Sequence, residues 1–171
     1  MKRKHRRLLA LLLVRTLLAA ARLLPRRVGL RLFSLLGRLA FSFYHKERDR
    51  AVSNLSLAFP DIDSMIVRAM ARGSFVSLGR NAFDALRLPS MGRKRVLGLC
   101  DITGEEHLRR SYESGRGVIG LTGHIGCWEL LAAYFSEKGY PVSVIARELR
   151  DRRLNEMLVA MRRRHGLVSI P

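Results

Sequence analysis

The sequence predicts an α/β chain: N-terminal membrane-associated helices followed by a mixed, mainly parallel sheet with flanking helices. Three observations carry that expectation. A basic start, MKRKHRR, runs into an apolar stretch from Leu8 to Pro25. Two long helical patterns then fill Glu47 to Leu88. Beyond the SMGRKR loop, short apolar runs alternate with helical patterns of about ten residues, the rhythm of strands joined by crossover helices.

The stretch from Leu8 to Pro25 is interrupted by Arg15 and Arg22, so it is poorly suited to sit unaided at the centre of a bilayer. An uncleaved anchor that tilts or lies flat is the preferred reading. A signal peptide is the other, with the right charged start and apolar middle but no clean small-residue cleavage site. Basic residues ahead of the stretch would stay on the cytoplasmic side. Arg15 and Arg22 share one helical face and could reach lipid phosphates. The next segment, VGLRLFSLLGRLAFSFY from Val28 to Tyr44, repeats the pattern with Arg31 and Arg38. Two helices packed on the domain would explain it, as would a membrane-surface helical hairpin hinged at Pro25, which is preferred.

KERDRAVSNLSLAF reads as a helix stopped at Phe59 and Pro60, and DIDSMIVRAMARGSFVSLGRNAFDALRL as a second one running to Pro89, with Asp61 or Asp63 as N-cap. Next come a strand over Leu99–Thr103, a helix over Glu105–Glu113 closed by Gly115, and a buried strand over Gly117–Thr122. A helix over Trp128–Glu137, a strand over Val142–Ala146, a helix over Asp151–His165 capped by Gly166, and a last strand, LVSI, complete the order.

Composition bounds the function. The chain has 171 residues, 48% of them hydrophobic, enough for one domain with a real core. Lys and Arg number 32 against 14 Asp and Glu, a formal net charge of +18, which implies an acidic partner such as nucleic acid, an anionic membrane or a phosphorylated substrate. No nucleic-acid-binding motif is recognisable, and that reading leaves the apolar N-terminus unexplained. Two cysteines, Cys100 and Cys127, exclude a disulfide framework and a four-cysteine zinc site, and fit a reducing compartment.

TGHIGCWELL, Thr122 to Leu131, places His124 just beyond the expected strand end, where ligands bind in open α/β sheets, and Glu129 in the first turn of the next helix. Residues five apart on one continuous helix point about 140° away from each other. Gly123 and Gly126 permit a tight turn that folds the imidazole back toward the carboxylate, and they let a substrate approach the backbone. With Glu129 holding one ring nitrogen, His124 could take a proton from an attacking hydroxyl, and the first N–H groups of the helix could hold an oxyanion. The bland alternative is a helix-start glutamate beside a turn histidine. A zinc site lacks a third ligand, so no metal is expected. Cys127 as a nucleophile competes with a small buried core cysteine, and Trp128 reads as packing or an interfacial anchor.

These residues carry a resemblance. T-G-H-I-G-C-W-E-L is similar to the H-x4-[D/E] block of glycerolipid-type acyltransferases, in the GHxGxWE form of the bacterial lipid A biosynthesis acyltransferases. NLSLAFP (Asn54–Pro60), TGEEHLRRSYESGRGVIGLTGHIG and VIARELRDRRLNEMLVAMRRRHG resemble further blocks of that family in the same order. The resemblance implies a glycerolipid acyltransferase-like fold, of which residues 1–45 are the basic anchor and 46–171 an N-terminal portion of the catalytic domain, with further strands to follow. It implies an enzyme at the cytoplasmic face of the inner membrane that moves a fatty acyl group from acyl carrier protein to a hydroxyl of a phosphorylated lipid A precursor. No cofactor and no nucleic acid enter. His124 matches the base and Glu129 its carboxylate partner, Gly123 and Gly126 shape the substrate turn, and Arg147, with Arg162 second, matches a phosphate-binding arginine. Two alternatives are an inactive, truncated membrane-surface relative and an acyltransferase acting on phosphatidylinositol mannoside with acyl-CoA. Cys127 departs from the asparagine or serine common at its position, and Asp151-Arg152 replaces an Asn-Pro pair.

Overall fold

The structure, a computed structural model, describes residues 16–19 and 21–171. The chain forms two compact units that divide between Arg87 and Leu88. Most of the expected anchor from Leu8 to Pro25 lies outside the described residues. Those described within it, 16–19 and 21–23, are helical. Among the described residues no helix is long and apolar enough to cross a membrane.

The first unit is built on three helices, α1 (Arg26–Phe43), α2 (His45–Ala58) and α3 (Ser64–Arg87). Pro25 occupies the N-cap of α1 in an extended conformation, at φ −55° and ψ 141°, which suits proline at a helix start. α3 is capped by Asp63, whose Oδ1 accepts from the Met65 N–H at 2.8 Å. The expectation of an aspartate cap holds, at the second of the two candidates.

A four-residue alternation of glycine and phenylalanine joins α1 to α3. Gly29, Phe33, Gly37 and Phe41 are the buried residues of α1. A Cβ on Gly29 would strike the Phe83 ring, one on Gly37 would lie 2.3 Å from the Phe75 carbonyl oxygen, and one on Gly79 would lie 2.2 Å from that of Phe33. Each glycine is therefore a hole for the other helix, and the pairing runs antiparallel, early α1 against late α3. The rings of Phe33 and Phe83 meet at 5.2 Å between centroids, and those of Phe41 and Phe75 at 5.4 Å. Phe83, Ala71 and Ala21 are fully buried. One end of the crossing is tied by a two-pronged ion pair, Arg26 Nε donating to Asp84 Oδ1 at 3.0 Å and Nη2 to Oδ2 at 2.7 Å. Arg87 donates to the Leu24 carbonyl at 3.0 Å.

The second unit is mostly helical around a small sheet. A 3-10 turn (Leu88–Ser90) and α4 (Arg93–Leu97) replace the loop expected over SMGRKR; α5 (Glu105–Glu113), α6 (Trp128–Lys138), β1 (Ser143–Ile145), α7 (Arg152–Arg164) and β2 (Val168–Ile170) follow. Leu88, Met91, Val96, Leu130, Ala133 and Tyr134 form its core. β1 and β2 pair in parallel, Ser143 against Val168 through Ile145 against Ile170, with α7 as the crossover. This β-α-β unit is the part of the expected parallel sheet that forms. α7 starts at Asp151, whose carboxylate accepts from the Arg153 and Leu154 N–H groups, and it closes at Gly166, at φ +72°. Gly115, at φ +73°, follows α5 as expected. His165 is buried between Glu137 Oε1, 2.8 Å from Nδ1, and the Leu88 carbonyl, 2.9 Å from Nε2.

Two expected strands do not form. Leu99–Thr103 is irregular, and Gly117–Thr122 is unpaired and exposed, with Ile119 and Leu121 each 99% accessible. Both runs have strand composition. A strand, however, is defined by the ladder on its neighbour, and among the described residues the only ladder joins β1 to β2. The larger sheet expected of the chain is thus reduced to two strands here.

Candidate active site

α6 starts directly after the glycine-flanked histidine. Cys127 is its N-cap, with no side-chain cap hydrogen bond, and Glu129 lies in its first turn. Gly126, at φ +62°, makes the left-handed step that turns the chain into the helix, a conformation only glycine takes without strain. Gly123 makes no such step, although a Cβ there would meet only the Ile125 side chain. The turn is open to solvent from Thr122 through Gly126, while Cys127 and Trp128 are half-buried.

The structure places the two residues of the H-x4-E pair in different surroundings. His124 is exposed, and its ring stands edge-on to that of Trp128 at 4.7 Å between centroids. Glu129 is buried, and both of its oxygens are occupied by Arg162: Nε donates to Oε2 at 3.0 Å and Nη2 to Oε1 at 2.6 Å. The two side chains are 7% and 10% exposed. The hydrogen bond expected from His124 to Glu129 is not made: the carboxylate is buried while the imidazole lies in the open turn. The reason is a competition for one carboxylate. A buried glutamate needs a charged, hydrogen-bonding partner, and a guanidinium offers two parallel donors where an imidazole offers one.

Arg162 reaches Glu129 because α7 carries it on its inward face. It follows Asn155, Leu158 and Val159, all at least partly buried, at intervals of seven, four and three residues, the spacing of one helical side. Its guanidinium is therefore held by the Glu129 carboxylate. Arg147, the first candidate for a phosphate contact, is exposed just beyond β1, where Ala146 adds one more hydrogen bond from its N–H to the Ile170 carbonyl. Cys127 and Cys100 are both thiols and half-buried. Among the described residues no group of three or more histidine, cysteine or acidic side chains could hold a metal ion.

The arrangement can do two separate things. An exposed imidazole can exchange protons with a bound molecule, and a clamped carboxylate can hold the first turn of α6 rigid beside it. Ile119, Leu121 and Ile125, exposed and close to His124 in the sequence, are apolar side chains that an aliphatic chain could cover.

Two comparisons with known proteins bear on this site. Residues 1–171 match the model of the bacterial lipid A biosynthesis acyltransferase family. Over 102 residues the chain is 26% identical to a phosphatidylinositol mannoside acyltransferase of Mycolicibacterium smegmatis, a match covering 60% of this chain and 34% of that protein. The chain thus spans about a third of the length of the curated relative it matches. The family match over residues 1–171 places the chain in the bacterial lipid A biosynthesis acyltransferase family.

Proposed function

We propose that the protein takes part in the transfer of a fatty acyl group from acyl carrier protein to a hydroxyl of a phosphorylated lipid A precursor, at the cytoplasmic face of the inner membrane, with His124 as general base. The observation that carries this reading is the exposure of the His124 imidazole at the glycine-flanked entrance to α6, with no carboxylate or cation on its ring among the described residues. One ring nitrogen takes the proton of the acceptor hydroxyl as its oxygen attacks the thioester carbonyl; the new C–O bond forms, the C–S bond breaks, and the proton returns to the departing thiolate. No enzyme-bound acyl intermediate is needed. Glu129 serves through Arg162 as the anchor of the turn, which makes it a positioning residue for the base. Arg147 stands free of an ion pair among the described residues and is the arginine suited to a phosphate of donor or acceptor.

A second acceptor is supported by the relative named for phosphatidylinositol mannoside, another phosphorylated glycolipid with free hydroxyls. The chemistry at His124 is the same for both.

The test is acyl transfer by the protein, from an acyl-carrier thioester to either lipid. His124→Ala is expected to lose roughly 10²- to 10⁴-fold in rate, the contribution of a general base, and Cys127→Ser to keep most of it. Retained transfer in His124→Ala with loss in Cys127→Ser would replace direct attack by an acyl-cysteine route.

A further inference from the structure

α1 has a side that neither the α1–α3 crossing nor the acyl-transfer reading uses. At 100° per residue its eighteen positions fall into three sectors. One is the buried glycine and phenylalanine face. The second holds Arg27, Arg31, Ser34 and Arg38, which with Leu30 and Leu35 of the same helix and Arg80 of α3 line an open cleft of about 490 Å³. The third holds Val28, Leu32, Leu35, Leu36, Leu39 and Phe43, all exposed, from 43% to 74% of their surface. α1 contains no acidic residue, and no ion pair involving the four cleft arginines occurs among the described residues. The acid nearest in the crossing, Asp84, is already held by Arg26.

The two open sectors adjoin along the whole helix, about 27 Å at 1.5 Å per residue. Four guanidiniums without counter-ions call for a phosphate-like anion. Six large apolar side chains in an unbroken stripe call for an apolar phase beside it. A soluble phosphate would satisfy the first and leave the second in water. An acidic protein would need a matching apolar groove of the same length. A bilayer lipid supplies both at the spacing offered, its headgroup phosphate level with the arginines and its acyl chains level with the leucines, which is the geometry of a helix lying in the interface plane. We propose that the α1–α3 arginine cleft binds the headgroup phosphate of an anionic membrane phospholipid, with α1 lying along the headgroup boundary and its leucine sector in the acyl chains. This inference stands on the first unit alone; it shares with the acyl-transfer reading only the placement at a membrane and needs no chemistry at His124.

The test is photo-crosslinking of the full chain to vesicles of phosphatidylglycerol in phosphatidylcholine, the phosphatidylglycerol bearing a photoreactive acyl chain, with tryptic mapping of the labelled peptides. Label is expected in Leu32–Arg38 and Leu39–Lys46, which bracket the leucine sector. Arg27→Gln with Arg80→Gln leaves both peptides intact and, because both guanidiniums are exposed, the fold as well, which circular dichroism checks. At about a fivefold step per arginine lost near an anionic surface, labelling of these peptides should fall about 30-fold. Equal labelling by a photoreactive phosphatidylcholine in vesicles without anionic lipid would overturn the proposal, as would its confinement to peptides before Arg26. An excess of inorganic phosphate that abolishes labelling where chloride of the same ionic strength does not would make the cleft a site for a soluble anion. Crosslinks from Leu32–Arg38 to a second copy of the chain would make the stripe a dimer interface; either result overturns the lipid assignment.

Discussion

Removing Arg162 should cost the second unit more than any other single charge. Its guanidinium makes two hydrogen bonds, of 2.6 and 3.0 Å, to a carboxylate that is itself 10% exposed. Arg162→Met keeps most of the volume and leaves Glu129 buried without a cation. Loss of one partner from such a pair costs about 3–5 kcal/mol, because the remaining charge is neither solvated nor compensated. A unit of this length, at about 0.05–0.15 kcal/mol per residue, has roughly 4–13 kcal/mol in total. The substitution should therefore leave it marginal, with a Tm lower by at least about 12 °C. Urea unfolding followed by Trp128 fluorescence is the assay, since the chain has one tryptophan and it directly precedes Glu129.

The double substitution Glu129→Leu with Arg162→Met separates this pair from catalysis. Replacing both charges with apolar groups of similar size removes the desolvation cost together with the attraction, and such exchanges are often neutral or stabilising. Stability should return to within about 1–2 kcal/mol of the native chain. Two results would refute the reasoning. One is a loss below about 1 kcal/mol for Arg162→Met, the range of exposed pairs. The other is a double variant as unstable as the two single losses added together, which would mean that the residues do not interact. Acyl transfer by a stable double variant then reads the role of Glu129: activity near native assigns it to positioning alone, whereas loss with stability restored assigns it to the chemistry.

Gly37→Ala should destabilise the first unit by about 1–3 kcal/mol, because its Cβ would lie 2.3 Å from a backbone carbonyl oxygen; Gly73→Ala in α3, with no atom within 4 Å, should stabilise it by about 0.5–1 kcal/mol in the same thermal melts. Asp151→Ala removes the cap of α7 and should cost about 1 kcal/mol in urea unfolding, with Asp151→Asn close to native. Burial pushes the Tyr134 phenol above its ordinary 10.0, with its hydrogen bond to Glu105 adding to the shift, and the hydrogen bond to Glu105 raises Lys138 above 10.5. Both groups hold their protons longer in the folded state, so their contribution is complete below about pH 10 and is lost as pH rises past it. Glu105→Gln should flatten that alkaline decline, measured as unfolding midpoint against pH.

What could be read in the sequence was mostly what is local. The cap at Asp63 and the glycines that close α5 and α7 depend on a few neighbouring residues, and they are where the pattern puts them; Asp151, read as the first residue of its helix, is the cap instead. β1, α7 and β2 were legible because two short apolar runs flank a well-capped helix. Gly117–Thr122 and Leu99–Thr103 misled because strand composition says nothing of where a pairing partner lies. The glycine–phenylalanine alternation of α1 and α3 was open to reading and is the better guide to the first unit than the seven-residue spacing of Arg31 and Arg38, which marks only the outward side. Arg162 left a fainter signal. An acid inside the apolar run WELLAAYF requires a cation from elsewhere, and among the arginines at the end of α7 it is Arg162 that falls on the apolar side.

That assignment changes how the head of α6 is held. Glu129 and Arg162 tie the first turn of the helix to the last turn of α7, and α7 is itself fixed downstream by the buried His165 and Leu167 and by the β1–β2 ladder. The helix end of the TGHIGCWE segment is thus set in a packed frame, while its other end, from Gly117 to Thr122, has no ladder and lies in solvent. His124 sits between them, and the element that relates it to the frame is the left-handed step at Gly126. A Cβ there meets no atom within 4 Å, so the cost of Gly126→Ala is conformational, about 1–2 kcal/mol for an L-residue held at positive φ. The chain can avoid that cost by re-routing the turn, because among the described residues no ladder or ion pair holds the segment before Gly126, whereas α6 cannot move without breaking a buried ion pair. Gly126→Ala should therefore leave the unfolding of the second unit nearly unchanged and still displace the imidazole, and its effect should appear in acyl transfer and in quenching of Trp128 by the adjacent histidine ring. A loss of stability matching the full conformational cost would show instead that the turn is held from its N-terminal side as well.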